Sequence, residues 1–131
     1  MMADEIQSNN DFSHEIIGAA VEVQRVLGIG LPAQVYAAAL EIELAEREIG
    51  FAREVPVSAS YKGRSLGEVC RASFVVEQSV VVEVKAVEAL TELHRAQAQA
   101  AVRLSGLGLG LLINFNVFPV VKGVHRIGAK P

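Results

Sequence analysis

A chain of 131 residues is long enough for one α/β domain with a single hydrophobic core and too short for two. The residues are 51% hydrophobic, yet no apolar run approaches the ~20 residues of a membrane-spanning helix, and the first residues do not resemble a signal peptide. The net charge of −3 gives no general attraction to nucleic acid or anionic membranes, so we expect a cytoplasmic protein without membrane contacts.

The first part of the chain predicts a flexible tail followed by two helices. Residues 1–12 are polar and aperiodic, and a single domain is expected over residues 13–131. Ser13 is a candidate N-cap for the first helix, in which apolar residues recur at helical spacing. Pro32 fits the first position of the second helix, and Gly50 is expected to end it.

The periodicity then changes to that of strands. Residues 55–60 alternate between apolar and polar, and the sequence Tyr-Lys-Gly-Arg at 61–64 is typical of a hairpin turn. A second strand is predicted over residues 66–77, and a third over the valine-rich residues 80–85. Because the connections are short, the three strands should form an antiparallel meander.

The last third of the chain predicts one helix and two more strands. Thr91 is a candidate N-cap for an alanine-rich helix that ends at Gly106. Residues 109–115 resemble a fully buried strand, and residues 124–127 an edge strand. Three small side chains should let the helix lie close to the sheet: Ala96, Ala100 and Ala101. The order ααβββαββ predicts an α/β fold with a mixed central sheet flanked by helices.

Two charged residues in the third strand are candidates for chemistry. Glu83 and Lys85 lie two positions apart, so they share one face of a strand that is otherwise valine. Burying both is costly unless they pair with each other or bind a ligand. A carboxylate there can hold a metal ion, and the ammonium group can orient a water molecule. The spacing alone is equally compatible with a strand end that emerges into solvent.

Four segments in order resemble a known family. They are G-L-P-A-Q-V-Y at 30–36 and residues 51–62, 71–85 and 110–115. Together they resemble the GxxExxY proteins of the PD-(D/E)XK nuclease-like superfamily, and the resemblance extends from about residue 16 to residue 127. It implies a restriction-endonuclease-like core and a hydrolytic magnesium site.

The resemblance also implies which residues form that site. Glu83 and Lys85 match the E-x-K pair, and Gln97 matches a glutamine of the following helix. Two acidic ligands of the family are replaced, because the helix glutamate falls on Ala33 and the strand aspartate falls on Ser73. Of three expected acidic metal ligands, only Glu83 remains. Two further carboxylates do not replace the lost ligands: Glu77 has the right parity but lies four residues along the strand, ~13 Å away, and Glu68 has the wrong parity.

These departures set the functional expectation. We expect a catalytically degenerate nuclease-like protein that acts by binding or self-assembly, with no cofactor and at most weak metal binding at Glu83. The alternative is a metal-dependent phosphodiesterase that acts on DNA or RNA, with magnesium held near Glu83 and Lys85.

Self-association is the expected partnership, with a symmetric dimer as the first hypothesis. The high apolar content leaves more hydrophobic surface than one small core can hide. A small-residue face on the second helix could contact a neighbour, or its residues could simply raise helix propensity: Ala33, Ala37, Ala38 and Ala39. Nucleic acid is a further partner to consider, although the net charge does not favour it. Three basic residues could form a local patch or be ordinary solvated charges: Lys62, Arg64 and Arg71.

Overall fold

The computed structural model describes residues 12–128, so the predicted tail, apart from Phe12, lies outside the described residues. Three α-helices, one 3₁₀ helix and five strands are present in this range. They are, in chain order, α1 (Ser13–Leu27), α2 (Ala33–Glu46), β1 (Phe51–Tyr61), β2 (Arg64–Val76), β3 (Val80–Lys85), α3 (Glu92–Ser105), β4 (Leu109–Asn114), the 3₁₀ helix Val120–Gly123, and β5 (Val124–Gly128). The predicted element order ααβββαββ is confirmed. No helix within residues 12–128 has the length and apolar character needed to cross a membrane.

The five strands form one mixed sheet in the order β1-β2-β3-β4-β5. Strands β1, β2 and β3 form the predicted antiparallel meander. Strand β4 runs parallel to β3, and β5 returns antiparallel to β4. Because parallel neighbours need a crossover, α3 connects β3 to β4 and is carried across one face of the sheet. This is the predicted α/β architecture with a restriction-endonuclease-like core.

Helices cover the sheet on both faces, and β3 contributes side chains to each. Val80, Val82 and Val84 belong to the main core cluster with the buried residues of α1 and α2. Val81 has the opposite parity and packs in a second cluster with Ala101 and Val102 of α3. Since β-strand side chains alternate between faces, Glu83 and Lys85 share parity with Val81 and lie on the face that α3 covers.

The start of α1 differs from the prediction by one residue. The N-cap is Phe12, with left-handed backbone at φ 72°, and Ser13 is the first helical residue. Ser13 is buried, and its Oγ accepts a hydrogen bond from Arg126 Nη1 at 2.8 Å. The hydroxyl predicted to cap the helix therefore connects α1 to β5 instead.

Both ends of α2 are also corrected. Pro32 is the N-cap residue and not the first helical residue, as its extended backbone shows (φ −66°, ψ 153°). The helix ends at Glu46, several residues before Gly50, and Glu48 adopts left-handed backbone at φ 61°. Helix α2 therefore ends without a glycine.

The prediction for α3 is confirmed at its N-terminus and partly wrong along its length. Thr91 Oγ1 accepts from the backbone N–H of His94 at 3.1 Å, and His94 Nδ1 accepts from the N–H of Thr91 at 3.0 Å. Ala96 is exposed and does not face the sheet, and Ala100 is only half-buried. The residues buried against the sheet follow helical spacing: Ala98, Ala101 and Val102.

Strand β1 is an irregular edge strand. Glu54 has left-handed backbone at φ 51°, Pro56 follows two residues later, and the β1–β2 pairing shifts twice, between Val57 and Ser58 and between Ala59 and Ser60. Each shift inserts one unpaired residue into the partner strand β2, Val69 and Leu66, as in a β-bulge. The predicted hairpin turn is confirmed, with positive φ at both Lys62 and Gly63.

Two buried amides stabilise the loops that follow β3 and β4. Gln24 Nε2 donates to the carbonyls of Phe115 at 2.9 Å and Val117 at 2.7 Å. Asn114 Nδ2 donates to the carbonyl of Val87 at 3.0 Å, and Asn114 Oδ1 accepts from the N–H of Val87 at 3.1 Å. Each amide satisfies backbone groups that would otherwise be buried without partners.

Candidate functional site

A pocket of about 340 Å³ lies between the sheet and α3, on the face to which Glu83 and Lys85 belong. Strand β3 contributes these two charged residues, and α3 contributes Gln97 and His94. The middle of β2 contributes an apolar, a thiol and a basic side chain: Val69, Cys70 and Arg71. The remaining wall is apolar and belongs to α3: Ala98, Ala100, Ala101 and Leu104.

Ser73 stands next to Glu83 on the neighbouring strand. The register pairs Phe74 with Val82, so the following antiparallel position brings Ser73 beside Glu83. Ser73 Oγ donates to Glu83 Oε1 over a long 3.5 Å and accepts from the N–H of Val84 at 3.2 Å. The hydroxyl thus bridges β2 to β3 beyond the last paired residues.

Burial dominates the acidity of Glu83. It raises the pKa of the carboxyl group from 4.5 to about 7, against the opposing effects of the Lys85 charge and the hydrogen bond from Ser73. The negative charge of Glu54 adds a smaller increase to the pKa. At neutral pH a substantial fraction of Glu83 therefore carries a proton and no charge.

The structure brings together four of the five residues singled out in the sequence. Glu83, Lys85 and Gln97 line one pocket, and Ser73 contacts Glu83. Glu83 accepts its hydrogen bond from Ser73, while Lys85 influences it through charge and not through a close ion pair. The predicted convergence of these side chains is observed, and their role in chemistry stays a prediction.

Ala33 is the exception. It is half-buried at the start of α2 and packs against the core cluster that contains Val80, Val82 and Val84. It does not line the pocket, which lies on the other face of the sheet. A glutamate side chain at this position would start on the face of the sheet that α2 covers, which is opposite to the pocket.

The two carboxylates considered as substitutes are engaged elsewhere. Glu77 Oε2 accepts from the N–H of Gly50 at 2.8 Å, which fixes the entry to β1. Glu68 Oε2 accepts from Arg71 Nε at 2.7 Å in an exposed pair. Neither carboxylate takes the place of the strand aspartate that the resemblance implies at position 73.

Glu54 is the acidic neighbour that the sequence did not reveal. It lies between the pairs Arg53–Phe74 and Val55–Ala72, which places it opposite Ser73 across the β1–β2 ladder. Its charge raises the pKa of Glu83, so the two carboxylates are within electrostatic reach. Counting back from the hairpin turn in regular register would place Glu54 opposite Arg71. Only the two register shifts move it to Ser73.

The donor set does not fit a hard divalent cation. Magnesium and calcium need several oxygen ligands, and carboxylates supply most of their charge. Glu83 is the single carboxylate that lines the pocket, and Lys85 and Arg71 line it too. Within residues 12–128, no group of three or more His, Cys, Asp or Glu side chains is placed to hold a metal ion. Weak or absent magnesium binding stays a prediction that a titration can test.

The fold and the site together define a nuclease-like class of protein: a mixed sheet between helices, with a strand Glu-x-Lys pair facing a helix glutamine. The family model of the PD-(D/E)XK nuclease superfamily matches residues 10–127. The chain therefore belongs to the PD-(D/E)XK nuclease superfamily. No curated protein and no solved structure gives a significant match to the chain.

Proposed function

We propose that this protein is a catalytically degenerate member of the superfamily that acts by binding and self-assembly and does not cleave phosphodiesters. The observation that carries the proposal is the composition of the pocket wall, where Glu83 is the single carboxylate and Lys85 and Arg71 are cations. The resemblance of the four motif segments supports the narrower proposal that the protein is one of the GxxExxY proteins, and we further propose that it acts in the cytoplasm.

The electrostatics of the pocket support the proposal. Metal-assisted phosphodiester hydrolysis needs a cation held firmly by negatively charged oxygens. Here the one carboxyl group has a pKa of about 7 because of burial, and two positive side chains stand in the same wall. A divalent cation entering the pocket would have to displace the proton from Glu83 and approach Lys85 against like-charge repulsion.

A residual metal-dependent phosphodiesterase acting on DNA or RNA is the second candidate. One observation favours it: Glu54 lies opposite Ser73, and its charge acts on Glu83. In that case Glu83 and Lys85 would retain their family roles, and Glu54 would supply the carboxylate that Ser73 lacks.

Two measurements distinguish the candidates. Purified protein is incubated with single- and double-stranded DNA and RNA in magnesium or manganese, with Lys85→Ala and Glu83→Ala as matched controls. We expect no cleavage above the controls and no rise in Tm with either metal. Metal-dependent cleavage by the wild type that disappears in Glu83→Ala and in Glu54→Gln would establish the second candidate instead.

The binding function that we propose includes self-association into a homodimer. The basis is the apolar surface that remains after the core is formed, which includes large side chains that are more than half exposed, such as Val26 and Ile42. Nucleic acid is a weaker candidate partner, because the chain has a net charge of −3 and Arg71 is already paired with Glu68.

A further inference from the structure

The small-residue face first considered on α2 is not a free surface. Ala37 is 6% exposed and belongs to the main core cluster, and Ala33 and Ala39 pack against that cluster. Of the four alanines, Ala38 alone is exposed. These alanines therefore mainly let α2 approach the sheet and α1, and they do not form a free surface by themselves.

The outer side of the helix pair carries a groove with apolar residues on both banks. Val26 and Leu27 of α1 and Ala39 and Ile42 of α2 line it. Val26 is 63% exposed and Ile42 is 61% exposed, so each projects beside the groove. Val35 lies one helical turn from Ala39 on the same stripe of α2 and is also exposed.

The charged residues beside this groove are already paired within the chain. Arg25 donates two hydrogen bonds to Glu22, at 2.9 and 2.7 Å. Arg47 Nε donates to Glu43 Oε2 at 2.7 Å. The two pairs also act on each other, because Arg47 lowers the pKa of Glu22 and Glu43 raises that of Arg25. The border of the groove is thus formally neutral, which gives neither a polyanion nor a polycation an electrostatic advantage.

We infer that this helix-pair groove, bordered by Val26 and Ile42, is the surface through which two copies of the chain associate. The inference rests on the proposed self-association and adds which surface of the protein forms the contact. A twofold interface uses the same patch on both partners, so the patch must fit itself in shape and charge. Projecting side chains beside a groove provide the shape, and a neutral border removes the repulsion that a charged patch would meet in its own copy.

The assignment leaves the pocket accessible. Helices α1 and α2 cover the face of the sheet to which Val82 and Val84 belong, whereas the pocket lies between the other face and α3. Two copies joined through the groove would therefore present their pockets on the outer sides of the dimer. Neither pocket would need a residue from the second copy.

The test measures mass by sedimentation equilibrium across dilution, from about 1 to about 500 μM, a range that brackets the Kd of a weak dimer. Wild-type protein should shift from 14.0 kDa toward twice that mass as concentration rises. Ile42→Glu and Val26→Lys should each raise the dimer Kd at least ~10-fold, because a charge would be buried at the contact. The matched control is Leu93→Glu on α3, where the parent side chain is 64% exposed.

The outcomes separate the surface from the self-association itself. A wild-type protein that stays at 14.0 kDa at every concentration would overturn both. A dimer that resists Ile42→Glu and Val26→Lys, or that Leu93→Glu weakens equally, would overturn the groove and leave self-association standing. Circular dichroism and Tm verify that the exposed substitutions leave each variant folded.

Discussion

Glu83 is a carboxyl group whose surroundings favour its neutral form. Burial raises its pKa, and neither the Lys85 charge nor the hydrogen bond from Ser73 fully compensates. In the unfolded chain the group titrates near its ordinary 4.5, so between that value and about 7 the folded state holds a proton that the unfolded state has released. The contribution of Glu83 to stability therefore falls as the pH rises through this window and is constant above it.

Glu83→Gln should remove this pH dependence. The variant should be more stable than the wild type at pH 8 by on the order of 2 kcal/mol, after allowance for solvent screening, and should lose the advantage near pH 4.5. Urea unfolding at a series of pH values measures the difference. Ser79→Ala, a change remote from the pocket, serves as the control. A difference between Glu83→Gln and wild type that is constant from pH 4.5 to 8 would contradict the assignment.

Ser73→Asp should create metal affinity that we expect to be weak or absent in the natural sequence. The new carboxylate would stand beside Glu83, where Ser73 Oγ now lies 3.5 Å from Glu83 Oε1. Two carboxylates can share a divalent cation, so millimolar manganese should raise the Tm of this variant and not that of the wild type. Ser73→Asn is the control of equal size without charge. Equal responses of the aspartate and asparagine variants would refute the prediction.

Ala33 is the other position at which the resemblance implies a lost acidic ligand. Because Ala33 packs against the main core cluster and does not line the pocket, Ala33→Glu alone is expected to destabilise the fold without adding manganese affinity.

Strand parity and motif order predicted where Glu83, Lys85 and Gln97 would meet. The position of Glu54 depends on two β-bulges, which leave no clear signal in the sequence.

At the scale of elements, α3 lies close against the sheet. Ala98, Ala101 and Val102 are buried there, and a methyl group on Gly110 of β4 would collide with the Val102 side chain. Small residues on α3 and on β4 therefore set the distance between this helix and the sheet. The pocket occupies the part of the same interface where charged residues replace apolar ones.

Gly110→Ala should destabilise the protein by about 1–3 kcal/mol, since the added methyl group would collide with Val102 of α3 and crowd the carbonyl oxygen of Val81. At Gly128 of β5, by contrast, an added methyl group would meet no atom within 4 Å. Gly128→Ala is the matched control and should change the free energy of unfolding by less than ~0.5 kcal/mol. Equal losses in both variants, measured by urea unfolding, would mean that α3 does not pack in this orientation.

The helices and strands were predictable where the periodicity of apolar residues and the turn residues agreed. The ends of a helix were predictable where the capping residues interact with backbone groups of that same helix end. Thr91 and Gly106 delimit α3 as expected, because the hydroxyl cap and the left-handed glycine are local features. The N-cap prediction for Ser13 was wrong because its hydroxyl accepts a hydrogen bond from Arg126, which is 113 positions away in sequence. The end of α2 at Glu46 carries no glycine and so gave no signal.

At the scale of the whole molecule, the sheet separates two surfaces with different chemistry. The pocket side holds Glu83 and Lys85, and the opposite side carries the helix-pair groove with Ile42. Side chains separated by a packed sheet and sharing no partners should act independently on stability.

The double variant Glu83→Gln with Ile42→Glu should therefore show additive effects. The change in the free energy of unfolding should equal the sum of the single changes within ~0.5 kcal/mol, measured at a concentration where both parents are monomeric. The pH dependence of stability should follow Glu83 alone, and the dimer Kd should follow Ile42 alone. A coupling larger than ~1 kcal/mol would show that the two faces communicate through the sheet.

The irregular outer strand β1 has a consequence for how copies of this chain can meet. An open sheet edge is a template on which further strands can polymerise, and proteins protect such edges by interrupting them. A strand added beside β1 would meet the left-handed Glu54 and then Pro56, which has no backbone N–H to donate. No continuous ladder can grow on that border, and the short β5, only five residues long, limits the other. These features protect the margins of the sheet against fibre-like growth, and the self-association that we propose would use the helices instead.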